Sequence, residues 1–184
     1  VCSCVISELL TSEIKKAAVN WEVTEYMLLL SAVMIVLSRY SRQDDIVVGT
    51  PTAGRAHRDT ENMLGMFVNT IALRAHPSAG KKYSEFLSEI KDICIKSYEN
   101  QDYPFEELVD NLGLGRRKNQ NPLFDVMFVL QNNEKPCFDF SGIIGEMCEI
   151  SNNIAKFDLT FNFSYNENQN YVLSCEYKTS RFDK

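Results

Sequence analysis

The sequence predicts an α/β fold, a two-layer sandwich in which a mixed β-sheet carries helices packed on one face. In the first part of the chain, helical patterns alternate with short segments of β-favouring residues. From Leu123 on, the pattern is that of successive strands. The 184 residues, 45% apolar and 24% charged, suffice for one sizeable core and are typical of a globular chain. We therefore expect residues 1–184 to form one domain or one large lobe.

Four segments have the pattern of helices. Residues 7–20 place apolar side chains at near-helical spacing, and Thr24 is a candidate N-cap for a second helix that ends near Tyr40. This second helix is apolar almost all round, so we expect it to be covered on most sides. Residues 83–98 have the clearest amphipathic pattern, and a proline favours the start of a shorter helix over residues 105–112.

The predicted strands are rich in β-branched and aromatic residues. They are residues 45–49, 66–75, 125–130, 138–150, 157–165 and 171–177. The first ends at a glycine and is followed by a polar loop over residues 50–60. The run at residues 125–130 is almost entirely apolar, as expected of a central strand. The last two strands alternate and are joined by a turn rich in asparagine, which predicts a hairpin.

The charge balance disfavours nucleic acid as a partner. The net charge is −6 at pH 7, whereas phosphate binding needs a concentrated basic face. The one dense basic run is Arg116, Arg117 and Lys118. This run can be a solvated loop, or it can contact an acidic partner or a phosphate group.

No segment predicts a membrane span or a secretory leader. The most apolar window, residues 26–37, is much shorter than the about 20 residues that cross a bilayer. The N-terminus has no basic region before an apolar run. Both ends suggest a piece of a longer polypeptide.

The six cysteines predict neither a disulfide framework nor a metal site. No C-x-x-C pair occurs, and Cys2 and Cys4 have no nearby histidine to complete a set of ligands. The cysteines lie in apolar segments, where free thiols are commonly buried. We therefore expect a reduced, cytoplasmic protein without a bound metal.

Residues 49–55 follow a predicted strand and superficially resemble a phosphate-binding loop. Such a loop needs lysine and then serine or threonine after its second glycine, but Arg55 and Ala56 stand there. Pro51 also removes one backbone N–H from the cradle. Nucleotide binding is therefore not predicted, and Arg55 remains available for a salt bridge or a phosphate contact.

The histidines and carboxylates predict structural roles rather than an acid–base centre. His57 lies in a charged loop and His76 precedes a proline, with no nucleophile signature near either residue. Asp102 is typical of a turn. Glu106 and Glu107 suit the first turn of a helix, where the helix dipole favours anions.

Two polar residues lie within strand patterns, where a polar group without a hydrogen bond is costly. Asn69 either bonds across a neighbouring strand or bulge, or faces a channel and binds a ligand amide. Asp158 stands where an alternating strand begins, and we expect it to form a buried ion pair with an arginine or a lysine.

Three motifs follow one another in a characteristic order. They are LGMFVNT at residues 64–70, continuing to Arg74, NQDYPFE at residues 100–106, and NPL at residues 121–123. They resemble core motifs in the C-terminal half of the condensation domain of nonribosomal peptide synthetases. Residues 44–55, 156–159 and 176–179 resemble further segments of that family, in places where the related epimerisation domains differ. Residues 116–120 depart from its usual Arg-Asp-x-Ser-Arg.

The resemblance implies a lobe similar to chloramphenicol acetyltransferase that forms one wall of a substrate tunnel. In that family the tunnel lies between two lobes, and an amine attacks a donor thioester beside the second His of a His-His-x-x-x-Asp-Gly motif. That motif belongs to the N-terminal lobe, and no His-His pair occurs in this sequence. We therefore expect residues 1–184 to be the C-terminal subdomain of an amide-forming enzyme of secondary metabolism and to be inactive alone.

The resemblance also implies partners and site residues. The partners are the N-terminal lobe, peptidyl carrier proteins with 4'-phosphopantetheine arms, and a neighbouring adenylation domain; no cofactor is bound directly. Candidates for the tunnel wall, or for structural roles beside it, are Arg55, Asn69, Thr70, Asp102 and Asp158. Candidates for contact with the carrier protein or its arm are Arg116, Arg117 and Lys118. Two alternatives stay open: half of a free-standing acyltransferase that uses coenzyme A or a carrier, and a non-catalytic module that binds carrier proteins.

Overall fold

The computed structural model describes residues 1–55, 57–114, 121–131 and 154–182. These residues contain a short 3₁₀ helix at Arg58–Thr60, four α-helices and six strands. The helices are α1 (Glu8–Asn20), α2 (Glu25–Ser41), α3 (Tyr83–Glu99) and α4 (Phe105–Asn111). The strands are β1 (Cys2–Val5), β2 (Ile46–Thr52), β3 (Asn69–Ala75), β4 (Val126–Leu130), β5 (Leu159–Tyr165) and β6 (Tyr171–Tyr177).

Hydroxyl caps fix where the first two helices begin. Ser7 Oγ accepts a hydrogen bond from the Leu10 amide at 3.3 Å, and Thr24 Oγ1 accepts one from the Met27 amide at 3.2 Å. The predicted cap at Thr24 is confirmed. α2 ends at Arg42, which adopts a left-handed conformation with φ of 55°.

The six strands form one mixed sheet in the order β1-β6-β5-β4-β2-β3. β4 is parallel to both of its neighbours, β2 and β5, and the other pairs are antiparallel. The predicted hairpin of β5 and β6 is confirmed. Its turn is held by Asn166, whose Oδ1 accepts from the amides of Asn168 and Asn170 at 3.0 Å.

α2 and α3 cover one face of this sheet, so the predicted α/β sandwich is confirmed. Alternate residues of the strands point to that face and pack against α2 and α3 in a continuous buried core. The core includes Leu30, Met34, Val48, Leu73, Phe86, Ile90, Phe128 and Phe163. Leu30, Met34, Val48, Leu73, Ile90 and Phe128 have no measurable exposure to solvent.

The sequence missed β1 and misplaced three strand ends, one of which is the start of β5 at Leu159 rather than at residue 157. All four residues of β1 are exposed, so the strand has no buried face for an apolar pattern to reveal. β2 continues through Thr52 into the predicted loop, because Pro51 and Thr52 still pair with β3. β3 begins at Asn69 rather than at residue 66. The predicted strand at residues 138–150 lies outside the described residues.

The cysteines differ in their surroundings. Cys94 is buried and Cys175 is partly buried, but Cys2 and Cys4 are exposed, so the expectation of buried thiols is wrong for these two. The reason is that β1 lies at the edge of the sheet, and none of the elements that the structure describes covers its residues. Cys137 and Cys148 lie outside the described part of the chain.

None of the four helices is long and apolar enough by itself to cross a membrane. α1 and α2 reach that length and composition only together, as a pair bent by 107°. Among the residues that the structure describes, no three or more histidine, cysteine, aspartate or glutamate side chains are grouped so that they could hold a metal ion.

Candidate functional site

Asn69 links two of the three motifs. It is the first residue of β3, and its Nδ2 donates to the carbonyl oxygens of Gln101 at 2.7 Å and Tyr103 at 2.8 Å. Residues 100–105 therefore form a turn that this amide holds, and we call it the clasped turn. Asn69 bonds to a turn after a helix rather than across a neighbouring strand, and both of its amide hydrogens are used.

The clasped turn passes from one face of the sheet to the other. Asn69 alternates with Ile71 along β3 and shares its side of the sheet, which the helices cover. The last residue of the turn, Phe105, packs against Phe124 with ring centroids 5.6 Å apart. Phe124 lies over Gly49, whose missing side chain would point to the opposite face. The second motif thus wraps around the end of the sheet.

Gly49 leaves the space that the Phe124 ring fills. A Cβ at Gly49 would lie 2.1 Å from the Phe124 ring, so any side chain there would displace it. Phe124 is only 5% exposed and also stacks on Phe157, with ring centroids 5.6 Å apart and ring planes at 26°. Phe124 directly follows the third motif, and its ring packs against Phe105 of the second motif. The Phe124 ring therefore joins these two motifs.

The arginine that ends the first motif forms an exposed, bidentate ion pair. Arg74 donates from Nε and Nη2 to the two carboxylate oxygens of Asp45, at 2.8 and 2.7 Å. This hydrogen-bonded guanidinium lowers the pKa of the Asp45 carboxyl group. Asp45 belongs to residues 44–55, so the pair fixes that segment to the first motif.

Arg55 organises the loop between β2 and β3. Its guanidinium donates to the carbonyl oxygens of Thr60 and, at 2.9 Å, Met63, and lies 4.4 Å from the centre of the Phe67 ring. The sequence predicted that Arg55 is available for a salt bridge or a phosphate contact. In the structure, its guanidinium instead donates hydrogen bonds to backbone carbonyl oxygens. Gly54 precedes it at φ of +62°, where an added Cβ would lie 1.7 Å from the Phe67 carbonyl oxygen.

The same loop exposes an unusual amount of apolar surface. We call residues 61–68 the bare loop, because four of its apolar side chains point into solvent. They are Met63 (52% exposed), Leu64 (102%), Met66 (91%) and Val68 (61%). Three of the four belong to the first motif. Large exposed apolar patches of this kind mark interaction sites in soluble proteins.

Asp158 forms the ion pair that the sequence predicted. Its Oδ1 accepts from Lys178 Nζ at 2.8 Å, and its Oδ2 lies 3.6 Å from Arg181 Nε. The Asp158 side chain is 16% exposed and that of Lys178 is 24% exposed, so the pair is mostly buried. It ties the start of β5 to the end of β6, which are the two closing segments of the resemblance.

The other candidate residues are not brought together. Thr70 is partly buried in β3 opposite Pro51, and Asp102 is exposed in the clasped turn. His57 and His76 are 76% and 57% exposed, as expected of loop histidines. Arg116, Arg117 and Lys118 lie outside the described residues.

The ionisable groups with the largest changes lie in the core instead. Burial raises the pKa of the Cys94 thiol to about 12 and that of Tyr98 to about 12. Burial also raises the pKa of Tyr26, whose ring packs against Phe128 at 5.1 Å. These groups stay protonated at neutral pH and act as core packing, not as acids or nucleophiles.

The motif residues therefore hold the lobe together, and they assemble no acid–base centre among the described residues. Asn69 and Asp158 were recognised from the sequence, because a polar side chain within a strand pattern costs free energy unless it has a hydrogen-bond partner. It missed Phe124 and Phe105, because an aromatic residue outside a periodic segment gives no signal about its packing partner. Gly49 was recognised only as the end of a strand.

Comparison with known proteins places these motifs in a family. The family model of the condensation domain matches residues 2–184. Gramicidin S synthase 2 of Brevibacillus brevis is 47% identical over 174 residues, which are 94% of this chain and 4% of that protein. Bacitracin synthase 3 of Bacillus licheniformis is 43% identical over 175 residues, which are 95% of this chain and 3% of that protein. The chain thus spans a small fraction of these relatives.

Solved structures share the fold at lower identity. A four-domain nonribosomal peptide synthetase bound to AMP and glycine superposes with a TM-score of 0.89 at 23% identity, over 99% of this chain and 15% of that chain. The condensation domain of the monacolin K polyketide synthase gives 0.82 at 20% identity, over 99% of this chain and 42% of that chain. Because a family model matches almost every residue and curated relatives are more than 40% identical, the chain belongs to the condensation-domain family.

Proposed function

We propose that this chain is part of a condensation domain that forms an amide bond between an acyl or peptidyl thioester and an aminoacyl thioester. The observation that carries the proposal is the match of residues 2–184 to the condensation-domain family, supported by relatives among peptide antibiotic synthetases. In this reading the chain is the C-terminal lobe and forms one wall of the substrate tunnel.

The bare loop supports a second lobe on this side of the molecule. Leu64 and Met66 are almost fully exposed, although the same motif is firmly held at Asn69. Burying two such side chains stabilises an interface by about 1.5–3 kcal/mol each. We therefore assign the bare loop to the contact with the N-terminal lobe.

We expect the chain to be inactive by itself. Amide formation needs a positioned amine, a group that handles its proton and a site that excludes water. The only two histidines in the sequence are His57 and His76, which are exposed loop residues, and Asp102 is also exposed. What this lobe contributes is a rigid wall whose turn and loop are fixed by Asn69 and Arg55.

Both substrates would arrive as thioesters on the 4'-phosphopantetheine arms of carrier proteins. The relatives named above are synthetases many times longer than this chain, which is consistent with carrier and adenylation domains in the same polypeptide. Arg116, Arg117 and Lys118 remain proposals for contacts with a carrier protein. No observation favours the free-standing acyltransferase or the non-catalytic module over the condensation domain.

The test compares the isolated chain with the complete condensation domain. Each is mixed with a donor-loaded and an acceptor-loaded carrier protein, and the condensed product is followed by mass spectrometry. We expect product with the complete domain and only the uncatalysed background with residues 1–184. Turnover by the isolated chain would contradict its assignment as one wall, and a complete, folded domain without turnover would contradict the amide-forming function.

A further inference from the structure

The outer side of α2 is apolar and uncovered. Ala32, Val36 and Tyr40 follow one another four residues apart and so form one stripe along the helix. All three are exposed, with Val36 at 46% and Tyr40 at 88%. The prediction that this helix is covered on most sides agrees with its buried residues, and this stripe is the side that stays uncovered. Apolar side chains lie here without any element of the described lobe packed over them.

A preformed groove lies next to this stripe. It has a volume of about 110 Å³ and is lined by Ile35, Arg39, Pro77, Ala79, Tyr83 and Phe86. Its walls are fixed by hydrogen bonds. Ser38 Oγ donates to the Pro77 carbonyl oxygen at 3.2 Å, and the Tyr83 hydroxyl lies 3.0 Å from Ser31 Oγ. A ligand would find the groove already formed and would lose little affinity to rearrangement.

The groove has one uncompensated charge at its rim. Lys81, which also lines it, is paired with Glu89 at 2.6 Å and donates to the His76 carbonyl oxygen at 3.0 Å. Arg39 is exposed and has no hydrogen bond or ion pair to any residue in the described part of the chain. A free guanidinium at the rim of an apolar groove favours a ligand that carries its own carboxylate.

The size of the groove limits what can occupy it. Pockets for cofactors and drug-sized ligands enclose about 300–1,000 Å³, several times this volume. A nucleic acid would need several cations to neutralise its phosphates, and this rim offers one that is free. The space fits a single side chain, with the stripe of Val36 and Tyr40 beside it available for further contact.

We propose that this groove is a docking site for a protein segment that presents an aliphatic side chain next to an aspartate or glutamate. The aliphatic side chain fills the space between Ile35 and Phe86, and the carboxylate pairs with Arg39. The surrounding segment covers Val36 and Tyr40. This contact is on the helical layer, whereas the bare loop follows the opposite end of β2, so the two surfaces serve different partners.

The experiment is site-specific photocrosslinking in the full-length polypeptide that the gene encodes. p-Benzoylphenylalanine replaces Tyr40, and the crosslinked peptide is identified by mass spectrometry. The same photoprobe at Glu13, an exposed position on α1, is the matched control. Two further variants carry the Tyr40 probe: Arg39→Glu reverses the charge at the rim, and Ala79→Trp fills the groove. Thermal unfolding confirms that each variant is folded.

We expect an adduct at position 40, absent at position 13, whose peptide contains an aliphatic residue beside Asp or Glu. Arg39→Glu and Ala79→Trp should each lower its yield at least tenfold, and Asp→Lys or Glu→Lys in the captured segment should restore it in the Arg39→Glu background. An adduct that is insensitive to both variants, one without an acidic residue, or one to a second copy of this chain would overturn the proposal. So would no adduct above the control. The result does not depend on condensation activity, which the product assay measures separately.

Discussion

The clasped turn and the bare loop lie at the same end of the sheet but differ in how they are stabilised. In the clasped turn, the carbonyl groups of Gln101 and Tyr103 accept hydrogen bonds from Asn69, and Phe105 packs on Phe124. In the bare loop, Arg55 holds the backbone, but the side chains of Leu64 and Met66 are almost fully exposed to solvent. One motif thus contains both kinds of residue: Asn69 stabilises the fold, whereas Leu64 is exposed and is proposed to contact another surface.

The largest expected effect is the loss of the ring beneath the clasped turn. Phe124→Ala should lower the free energy of unfolding by about 3–5 kcal/mol, because it empties a site between Phe105 and Phe157. Urea unfolding of the isolated chain measures it. Phe182→Ala is the matched control, since Phe182 is 40% exposed and should change stability by less than about 1 kcal/mol. Equal effects of the two variants would show that the ring does not anchor the turn.

The next effect tests the clasp itself. Asn69→Ala leaves the carbonyl groups of Gln101 and Tyr103 without their donor, and we expect a loss of about 2 kcal/mol by urea unfolding. Asn69→Asp should be worse at neutral pH, because a carboxylate cannot donate and would face two carbonyl oxygens. Asn168→Ala removes an exposed amide and serves as the control, with little expected change. If Asn69→Ala leaves the free energy of unfolding unchanged, Asn69 does not hold the clasped turn.

A smaller effect is expected at the ion pair that joins the two closing strands. Lys178→Met leaves Asp158 mostly buried with only the longer contact to Arg181, and we expect a loss of about 1–2 kcal/mol. Lys16→Met breaks an exposed pair with Glu13 and should cost about 0.5 kcal/mol or less. Thermal unfolding compares the two. If Lys178→Met is as mild as Lys16→Met, the buried pair does not secure β5 to β6.

Alkaline pH should weaken the core behind the clasped turn. Burial raises the pKa of Cys94 from 9.0 to about 12 and that of Tyr98 from 10.0 to about 12. A group whose pKa is higher in the folded protein than in the unfolded chain stabilises the fold while it is protonated. Its contribution to the free energy of unfolding is complete below the unfolded-state pKa and is lost as the pH rises through the folded-state pKa. We therefore expect stability to fall between pH 9 and pH 12. Urea unfolding at pH 10–11 should show a shallower fall for Tyr98→Phe, and parallel curves would exclude Tyr98 as a cause.

The smallest effect on stability is expected in the bare loop. Leu64→Ser should change the free energy of unfolding of the isolated chain by less than about 0.5 kcal/mol, because the side chain is fully exposed. In the complete condensation domain, the same variant should lower product formation by weakening the contact between lobes. Leu73→Ser, at a buried position of the same strand region, is the contrasting control and should destabilise both proteins. Unchanged product with Leu64→Ser would show that the bare loop is not an interface.

The sequence by itself determined most of the secondary structure. The helices α1 to α4 begin within about one residue of their predicted starts, because hydroxyl caps, a proline and periodic apolar residues act locally. The central strand β4 and the hairpin of β5 and β6 were equally predictable from the sequence, since a continuous apolar run and an asparagine-rich turn are local signals. The ion pair of Asp158 was predictable as a requirement, because a carboxylate in a strand needs a partner, although its lysine was not.

Only the tertiary structure decided which residues meet. β1 exists because its backbone pairs with β6, at the far end of the chain, and its exposed residues give no apolar pattern. Asn69 finds its acceptors in Gln101 and Tyr103, and Phe124 finds Gly49, across distances in sequence that no periodicity spans. The sequence could not show that part of α2 stays uncovered, since an apolar stripe looks the same whether another element covers it or not. Local chemistry sets where elements begin and end, whereas contacts between them depend on how the whole chain folds.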